Sequence, residues 1–477
     1  MPTPDLIYDY FDEFEIRKIV SEPYTQYKLY ESEKSESGVE QLKIFEELET
    51  DCPLFEGVSF SNQVHFQNAY QIPVQRWFPY REGFSISLVQ SFIRELEIKG
   101  NVFDPFVGSG TTLLEARLNN LNSFGTDVNP ISALVAQVEN EQYNISDIEN
   151  FEYELNGINL LFKLDLKSHT LFELADKTFN DEILQAVLQF KQHIQHIKNS
   201  KIRNAFFVAW LAIIESVSNT KKEGNGIKYK NRKRTPNGYV NIAKEVWESS
   251  VFPKDKFNFV KTKLVEHLKM ILGDIKTSYG RCEKKPSIFR GTCLEFDNFF
   301  VEEPEFTFFS PPYCNCFDYF EIHKVDLWLG EFIKDREEFR LLRNSGFRSN
   351  TNSLGHKAVV YKNPSLEKLI ALFNSERLWS PKIPNVVRGY FDDTHTLLQK
   401  LYGRTVKGGY VGIVVGNSAY SGVIIPTDIL IANIAQEIGF KVKRVFIVRH
   451  LTTSSQQKRE LEFLKNYLRE SIVLLKK

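Results

Sequence analysis

The stretch Asn101-Val102-Phe103-Asp104-Pro105-Phe106-Val107-Gly108-Ser109-Gly110-Thr111-Thr112 decides the fold. Its first three residues form a short run that predicts a buried strand. The strand runs into a turn where Gly108 and Gly110 permit unusual φ angles and close approach of a ligand. Leu113, Leu114, Ala116 and Leu118 then carry a helix. Such a strand–turn–helix aims backbone N–H groups and the positive end of a helix dipole at whatever lies over the turn. Asp104, at the strand's carboxyl end, can accept hydrogen bonds from a positively charged amino group. Ser123-Phe124-Gly125-Thr126 predicts the next strand, and Asp127 at its end can hold a ribose diol. Strand, Gly-containing turn, helix, strand and acid make the start of a βαβ nucleotide-binding unit. The spacing is not G-x-G-x-x-G, and no Lys precedes Thr111 as in a P-loop, so a Rossmann dehydrogenase is disfavoured.

Upstream lies Arg76-Trp77-Phe78-Pro79-Tyr80-Arg81-Glu82-Gly83-Phe84-Ser85. Pro79 and Gly83 mark a turn, and Ser85 is placed to cap a helix over Ile86–Glu97. Residues 1–60 read as an acidic N-terminal extension with two short helices and no chemistry, and residues 61–144 as the ligand-binding part of an α/β domain. From 145 to 284 the pattern changes. Long amphipathic stretches, Ile183–Ile197 and Ile202–Val217, predict a mainly helical insertion. It ends in a basic loop with Lys221, Lys222, Lys228, Lys230, Arg232, Lys233 and Arg234. The α/β rhythm returns at Ser287-Ile288-Phe289 and Phe306–Phe309. Residues 285–477 then complete the domain, with strands at Tyr410–Val415, Val442–Val448 and Ser471–Leu475 and a polar, loop-rich insert at 331–395.

The 477 residues leave room for roughly two to four domains. With 39 Phe and 20 Tyr the chain has ample core-forming side chains, which excludes a disordered protein. Lys plus Arg is 60 and Asp plus Glu is 61. A net charge of −1 excludes a highly basic coating protein but says nothing of a local basic groove. The longest strongly apolar run, Phe206–Ile214, falls far short of the roughly 20 residues a membrane helix needs. Met1-Pro2-Thr3-Pro4-Asp5 is polar and acidic, unlike a secretory signal. Five cysteines without framework spacing fit a reducing, cytoplasmic setting. Cys314-x-Cys316 is too tight for a usual zinc pair and His193-x-x-His196 sits in a Lys-rich helical stretch, so no metal is expected.

Ser310-Pro311-Pro312-Tyr313 follows directly on the strand Phe306–Phe309. Two prolines make a rigid turn without backbone donors, and its outward carbonyl oxygens can accept from an exocyclic amine. Tyr313 offers a flat face on which an extruded base can stack.

Together these residues resemble the S-adenosylmethionine-dependent amino-methyltransferases, the family that modifies exocyclic nitrogens of DNA bases. Asp104–Thr112 is similar to the family's cofactor motif, Ser310–Tyr313 to its catalytic motif, and Trp77–Ser85 to the additional cofactor motif of some members. Asp318-Tyr319, His323-Lys324 and Leu327-Trp328 look like the helical extension after the catalytic motif, and Leu468–Ser471 like the end of such chains. The resemblance covers 77–137 and 286–330 well, 385–477 loosely, and neither 1–60 nor 145–284. It implies an α/β fold, a doubly wound, Rossmann-like methyltransferase sheet interrupted by a mainly helical insertion. It implies S-adenosylmethionine bound by Asp104, Pro105, Phe106, Gly108, Ser109, Gly110, Thr111, Asp127 and Ser85, and catalysis by Ser310, Pro311, Pro312 and Tyr313. The target base is flipped out and its amine, held by Ser310 and the Pro311 carbonyl, attacks the sulfonium methyl.

In this family Ser before Pro-Pro-Tyr is usual for cytosine N4, and Asp or Asn for adenine N6, so cytosine N4 is expected. Carbon-5 methylation needs a Cys nucleophile after Pro, and no Pro-Cys dipeptide occurs. Double-stranded DNA is the implied partner, with a cognate restriction endonuclease as a candidate second one. The 145–284 block is the candidate recognition region, its basic loop serving either phosphate contacts or solvation alone. The insert at 331–395, with Arg340, Arg343, Arg348, Asn350 and Asn352, is the rival. Two other functions stay open. An RNA guanine-N2 methyltransferase usually carries Asp-Pro-Pro-Tyr and an N-terminal RNA-binding domain. A non-catalytic subunit would not be expected to keep Asp104, Asp127 and Ser310–Tyr313 intact.

Overall fold

Strands covered on both faces must be apolar at nearly every position. Tyr410–Gly416 meets that demand, being buried from Val411 onward. In a computed structural model describing residues 36–477 except 51, 65–70, 165–173, 225, 237, 279–283, 356 and 452–460, eight strands pair into one sheet. In chain order they are β1 (Leu54–Glu56), β2 (Val102–Asp104), β3 (Ser123–Asp127), β4 (Ser287–Arg290), β5 (Phe306–Phe309), β6 (Tyr410–Gly416), β7 (Lys441–His450) and β8 (Arg469–Lys476). Their order across the sheet is β1-β7-β8-β6-β5-β2-β3-β4. Only β8 runs antiparallel to both of its neighbours, β6 and β7; the other pairs are parallel.

The principal helices are α1 (Glu36–Glu49), α2 (Ile86–Glu95), α3 (Thr111–Leu118), α4 (Pro130–Glu139), α5 (Ile145–Leu160), α6 (Asp181–Gln195), α7 (Ser200–Val217), α8 (Lys256–Ser278), α9 (Lys324–Leu329), α10 (Ile383–Arg404) and α11 (Thr427–Ile438). They cover the sheet on both sides because strand side chains alternate. Phe103, Val473 and Leu475 join a core with α1, α10 and α11. Their neighbours Val102, Ile472 and Leu474 join the opposite core with α2. The α/β, doubly wound sheet is therefore the architecture.

Helices α5 to α8 build a third core around Phe151, Phe190, Phe206, Trp210 and Leu268. Ile131 and Val135 of α4 and Trp77 and Phe78 belong to that same core, so the insertion grips the sheet domain. Asp274 of α8 makes the grip polar as well. Its carboxylate accepts from the Val74 N–H at 3.1 Å and the Trp77 indole at 2.9 Å, and pairs with Arg76.

Four expectations differ from the structure. Residues 1–35 lie outside the described residues, but 36–60 are no appendage. Leu42, Phe45 and Leu48 fall on one face of α1 and enter the core, and β1 forms the sheet edge beside Val445–Ile447. The helix after Ser85 ends at Glu95, and the Ser85 hydroxyl pairs with Ser87 at 2.7 Å instead of capping an N–H. The basic loop is two β-hairpins, Thr220–Lys222 with Ile227–Tyr229 and Arg232–Thr235 with Gly238–Asn241. Gly238, at φ +117°, opens the last of these strands. The loop-rich insert is about half helical, at Arg336–Ser345, Pro364–Ala371 and the first part of α10. Arg336–Ser345 is so charged that its buried pair, Phe339 and Leu342, is easily overlooked.

Candidate active site

Between β2 and β5 the direction of winding reverses, and ligands of open α/β sheets bind at the carboxyl ends of such strands. β2 ends at Asp104, and β5 hands over directly to Ser310. The Thr112 hydroxyl donates to the Phe308 carbonyl at 3.1 Å and ties the two strand ends together. A cavity of about 550 Å³ opens there. Asp104, Pro105, Phe106, Gly108, Ser109, Thr111 and Asp127 line it from one side and Ser310, Pro311, Pro312 and Tyr313 from the other. Ser85 and Gly110 are not among its lining residues.

Gly110 acts beneath the surface. It stands before α3 at φ +93°, and a Cβ there would lie 2.7 Å from the Asn140 amide nitrogen. Gly108, at φ +54°, leaves a cradle that a Cβ would fill, 3.0 Å from the Tyr80 ring. Its N–H donates to Asp127 at 2.9 Å, so the turn and the second acid are one unit.

Both acids are perturbed. Burial pushes Asp104 up to about 7, against the pull of hydrogen bonds from the Phe106 N–H and Thr112, with the Asp127 charge adding to the rise. Burial likewise pushes Asp127 up to about 6, against N–H groups of Asn129 and Gly108. Among the described residues neither carboxylate forms an ion pair. Two buried acids without cationic partners, facing one cavity, suit a ligand that brings an ammonium group and hydroxyl donors.

On the other side, the Tyr313 hydroxyl donates to Glu470, and the Tyr313 carbonyl accepts from the Asn315 N–H at 2.8 Å. Phe106 stacks on Phe309 at 5.5 Å, which joins the turn after β2 to the end of β5 by an aromatic contact. Cys314 and Cys316 are buried, and burial pushes both thiols up, away from the reactive thiolate. Among the described residues no group of three or more His, Cys, Asp or Glu could hold a metal ion. Nor is any described helix long and apolar enough to cross a membrane.

Further residues line the cavity: Tyr80 and Phe84 from the turn before α2, Phe317 and Tyr319 from the segment after Ser310–Tyr313, and Arg449 and Glu470 from β7 and β8. Of these, Phe317 and Arg449 lie outside the motifs that carry the resemblance in the sequence. Lys222 reaches the cavity from the first hairpin of the insertion and pairs at 2.5 Å with buried Asp326 of α9. The arginines named in the 331–395 rival all pair with acids, Arg340 on the surface and Arg343 and Arg348 largely buried. Arg340 pairs with Glu337, Arg343 with Asp318 and Glu321, and buried Arg348 with Asp392 and Asp393. Asn350 is buried, and the Asn352 amide donates to Asp318 at 2.9 Å. Asn350 also lines the cavity. The second hairpin presents its own surface charge, with Arg232, Lys233 and Arg234 all exposed and Arg232 4.3 Å over the Tyr239 ring.

Comparison with known proteins points the same way as the cavity. A family model for N6/N4 methyltransferases, described as DNA methylase, matches residues 13–137, which include Asp104–Thr112 and Asp127. The chain is 27% identical over 460 residues to the type II methyltransferase M.BsoBI of Geobacillus stearothermophilus, covering 87% of each chain. It is 26% identical to the type II methyltransferase M.AvaI of a Nostoc strain, over 81% of this chain and 83% of that one. M.MvaI of Kocuria varians is 22% identical over 78% of this chain and 82% of its own. Methyltransferases of this family use S-adenosylmethionine, which carries both an ammonium group and ribose hydroxyls. By its fold and these matches, the chain is similar to the amino-methyltransferases of the N4/N6 type.

Proposed function

We propose that this chain is a site-specific DNA methyltransferase acting on the N4 amine of a flipped cytosine, within a restriction–modification system. The observation that carries the reading is a single cavity lined by Asp104, Asp127 and Ser310–Tyr313. Bound S-adenosylmethionine would supply an electrophilic methyl group on a leaving group that is already activated. Asp104 accepts from its amino group, Asp127 from its ribose hydroxyls, and the Gly108 turn packs beneath it. Phe106 and Val107 shape the pocket. Ser310 and the Pro311 carbonyl accept from the target amine and turn its lone pair towards the methyl carbon. Pro312 keeps the turn rigid, and Tyr313 stacks on the base. Positioning and electrostatics then supply most of the rate. Ser310, in place of an acid or amide, favours cytosine N4 over adenine N6.

The relatives' type II designation supports duplex DNA as substrate and a cognate endonuclease as partner. The hairpin Arg232–Asn241 is the DNA-facing element in this reading. It projects exposed cations and an aromatic ring, and residues 230–231 join it to the hairpin that carries Lys222 at the cavity. The test is transfer of radiolabelled methyl groups to duplex DNA and, in parallel, to total RNA. Label in DNA alone is expected; label in RNA alone would overturn the reading.

A further inference from the structure

Four residues from distant parts of the chain meet behind the catalytic turn. Gly416 ends β6, Arg449 lies near the end of β7, and Glu470 lies near the start of β8. Glu470 stands directly opposite Gly416 on one side and Arg449 on the other. Residues opposed across antiparallel strands project to the same face. The second pairing depends on an irregularity, a register shift between Ile447 and Arg449. Without that bulge, Arg449 would face Arg469 and Glu470 would face Val448. Bulges re-aim side chains in this way beside functional sites.

The Tyr313 ring lies over this row. A Cβ on Gly416 would sit 2.8 Å from its Cε2 and 2.9 Å from its Cδ2, so only glycine leaves room. At the ring's tip the hydroxyl donates to one oxygen of Glu470, while Arg449 Nε pairs with the other oxygen at 2.5 Å. Glu470 is 2% exposed, yet it, Arg449 and Tyr313 all line the cavity. Both oxygens of this buried carboxylate are engaged, one of them by the stacking residue itself. We infer that Glu470 is a positioning residue that fixes the plane of Tyr313 for base stacking, with Arg449 anchoring the carboxylate and Gly416 clearing the space. The inference rests on the proposed role of Tyr313 towards a flipped base.

The test compares wild type, Tyr313→Phe, Glu470→Ala, Glu470→Gln and the Tyr313→Phe/Glu470→Ala double variant on duplex DNA. Tyr313→Phe keeps the ring and deletes only the hydroxyl, so it carries the test even if Glu470→Ala folds poorly. Each of the two deletions should lower kcat about tenfold and leave the dissociation constant for S-adenosylmethionine within about twofold of wild type. The double variant should be no slower than the slower single one, because both remove the same bond. Glu470→Gln, which keeps an acceptor, should recover part of the loss. Losses that multiply in the double variant overturn the inference, as does a Tyr313→Phe enzyme with wild-type kcat. So does a Glu470 variant that loses cofactor affinity instead of turnover. A wild type that methylates no DNA would overturn the proposed function instead, which keeps the two failures apart.

Discussion

Cofactor binding should tighten as pH rises through neutrality, and Asp104 should be the cause. Its carboxyl is 2% exposed and burial pushes it from 3.8 up to about 7. Ionising it in the ligand-free protein therefore costs roughly 4 kcal/mol more than in water. A ligand ammonium offsets that cost, but below about pH 7 it must first displace a proton, so affinity falls towards about tenfold per pH unit. Asp127, at about 6, steepens the fall at lower pH. The stability effect has the opposite sign. With the folded value above the unfolded one, the folded state holds more protons between about pH 4 and 7, so Asp104 progressively destabilises the ligand-free fold across that window. Asp104→Asn should thus leave thermal stability at about pH 8 equal or higher, while cofactor affinity drops about 30-fold or more. Calorimetric titration with S-adenosylmethionine and S-adenosylhomocysteine between about pH 5.5 and 7.5 keeps the ligand ammonium charged, since α-amino groups titrate near 8. Wild-type affinity that is flat across this range would refute the reasoning. So would an Asn variant that keeps the step near pH 7.

Gly110→Ala should lower stability by about 2–4 kcal/mol in denaturant melts, because φ +93° and a 2.7 Å approach to Asn140 penalise any side chain. Adding Asn140→Ala should relieve only the steric share, and an unchanged melt for the single variant would contradict the turn's assigned conformation. Alanine at Arg232, Lys233 and Arg234 should flatten the salt dependence of DNA binding by about 0.9 in log–log slope for each phosphate no longer neutralised. An unchanged slope would remove the hairpin from the interface. Arg348→Ala should cost about 3–5 kcal/mol of stability, because it strands the buried carboxylates of Asp392 and Asp393, and site preference should not change. Altered preference at wild-type stability would restore Arg348 as a groove reader.

What is legible in the sequence is local. Asp104 and Asp127 close two short strands, and a rigid Pro-Pro turn follows a third, so each half of the site announces itself within about a dozen residues. A doubly wound sheet follows from the way such halves wind around a switch point, whereas the antiparallel insertion of β8 between β6 and β7 does not. What stays hidden depends on register and distance. β1 is only three residues long and gains its place by pairing with β7, far along the chain. Glu470 and Arg449 meet through a bulge that leaves no local mark. Arg348 reads as a surface base because its acids lie on α10, 44 and 45 residues away. The basic hairpins read as a loop because their strands are three or four residues long and mostly exposed, so no apolar alternation marks them.

The most direct measurement is the identity of the methylated nucleoside. Duplex DNA is incubated with the full chain and isotopically labelled S-adenosylmethionine, digested, and read by mass spectrometry. Label in N4-methylcytosine is the expected product. N6-methyladenine would leave the cofactor site standing and overturn the meaning given to Ser310. Label in no DNA nucleoside would contradict methyl transfer to DNA altogether.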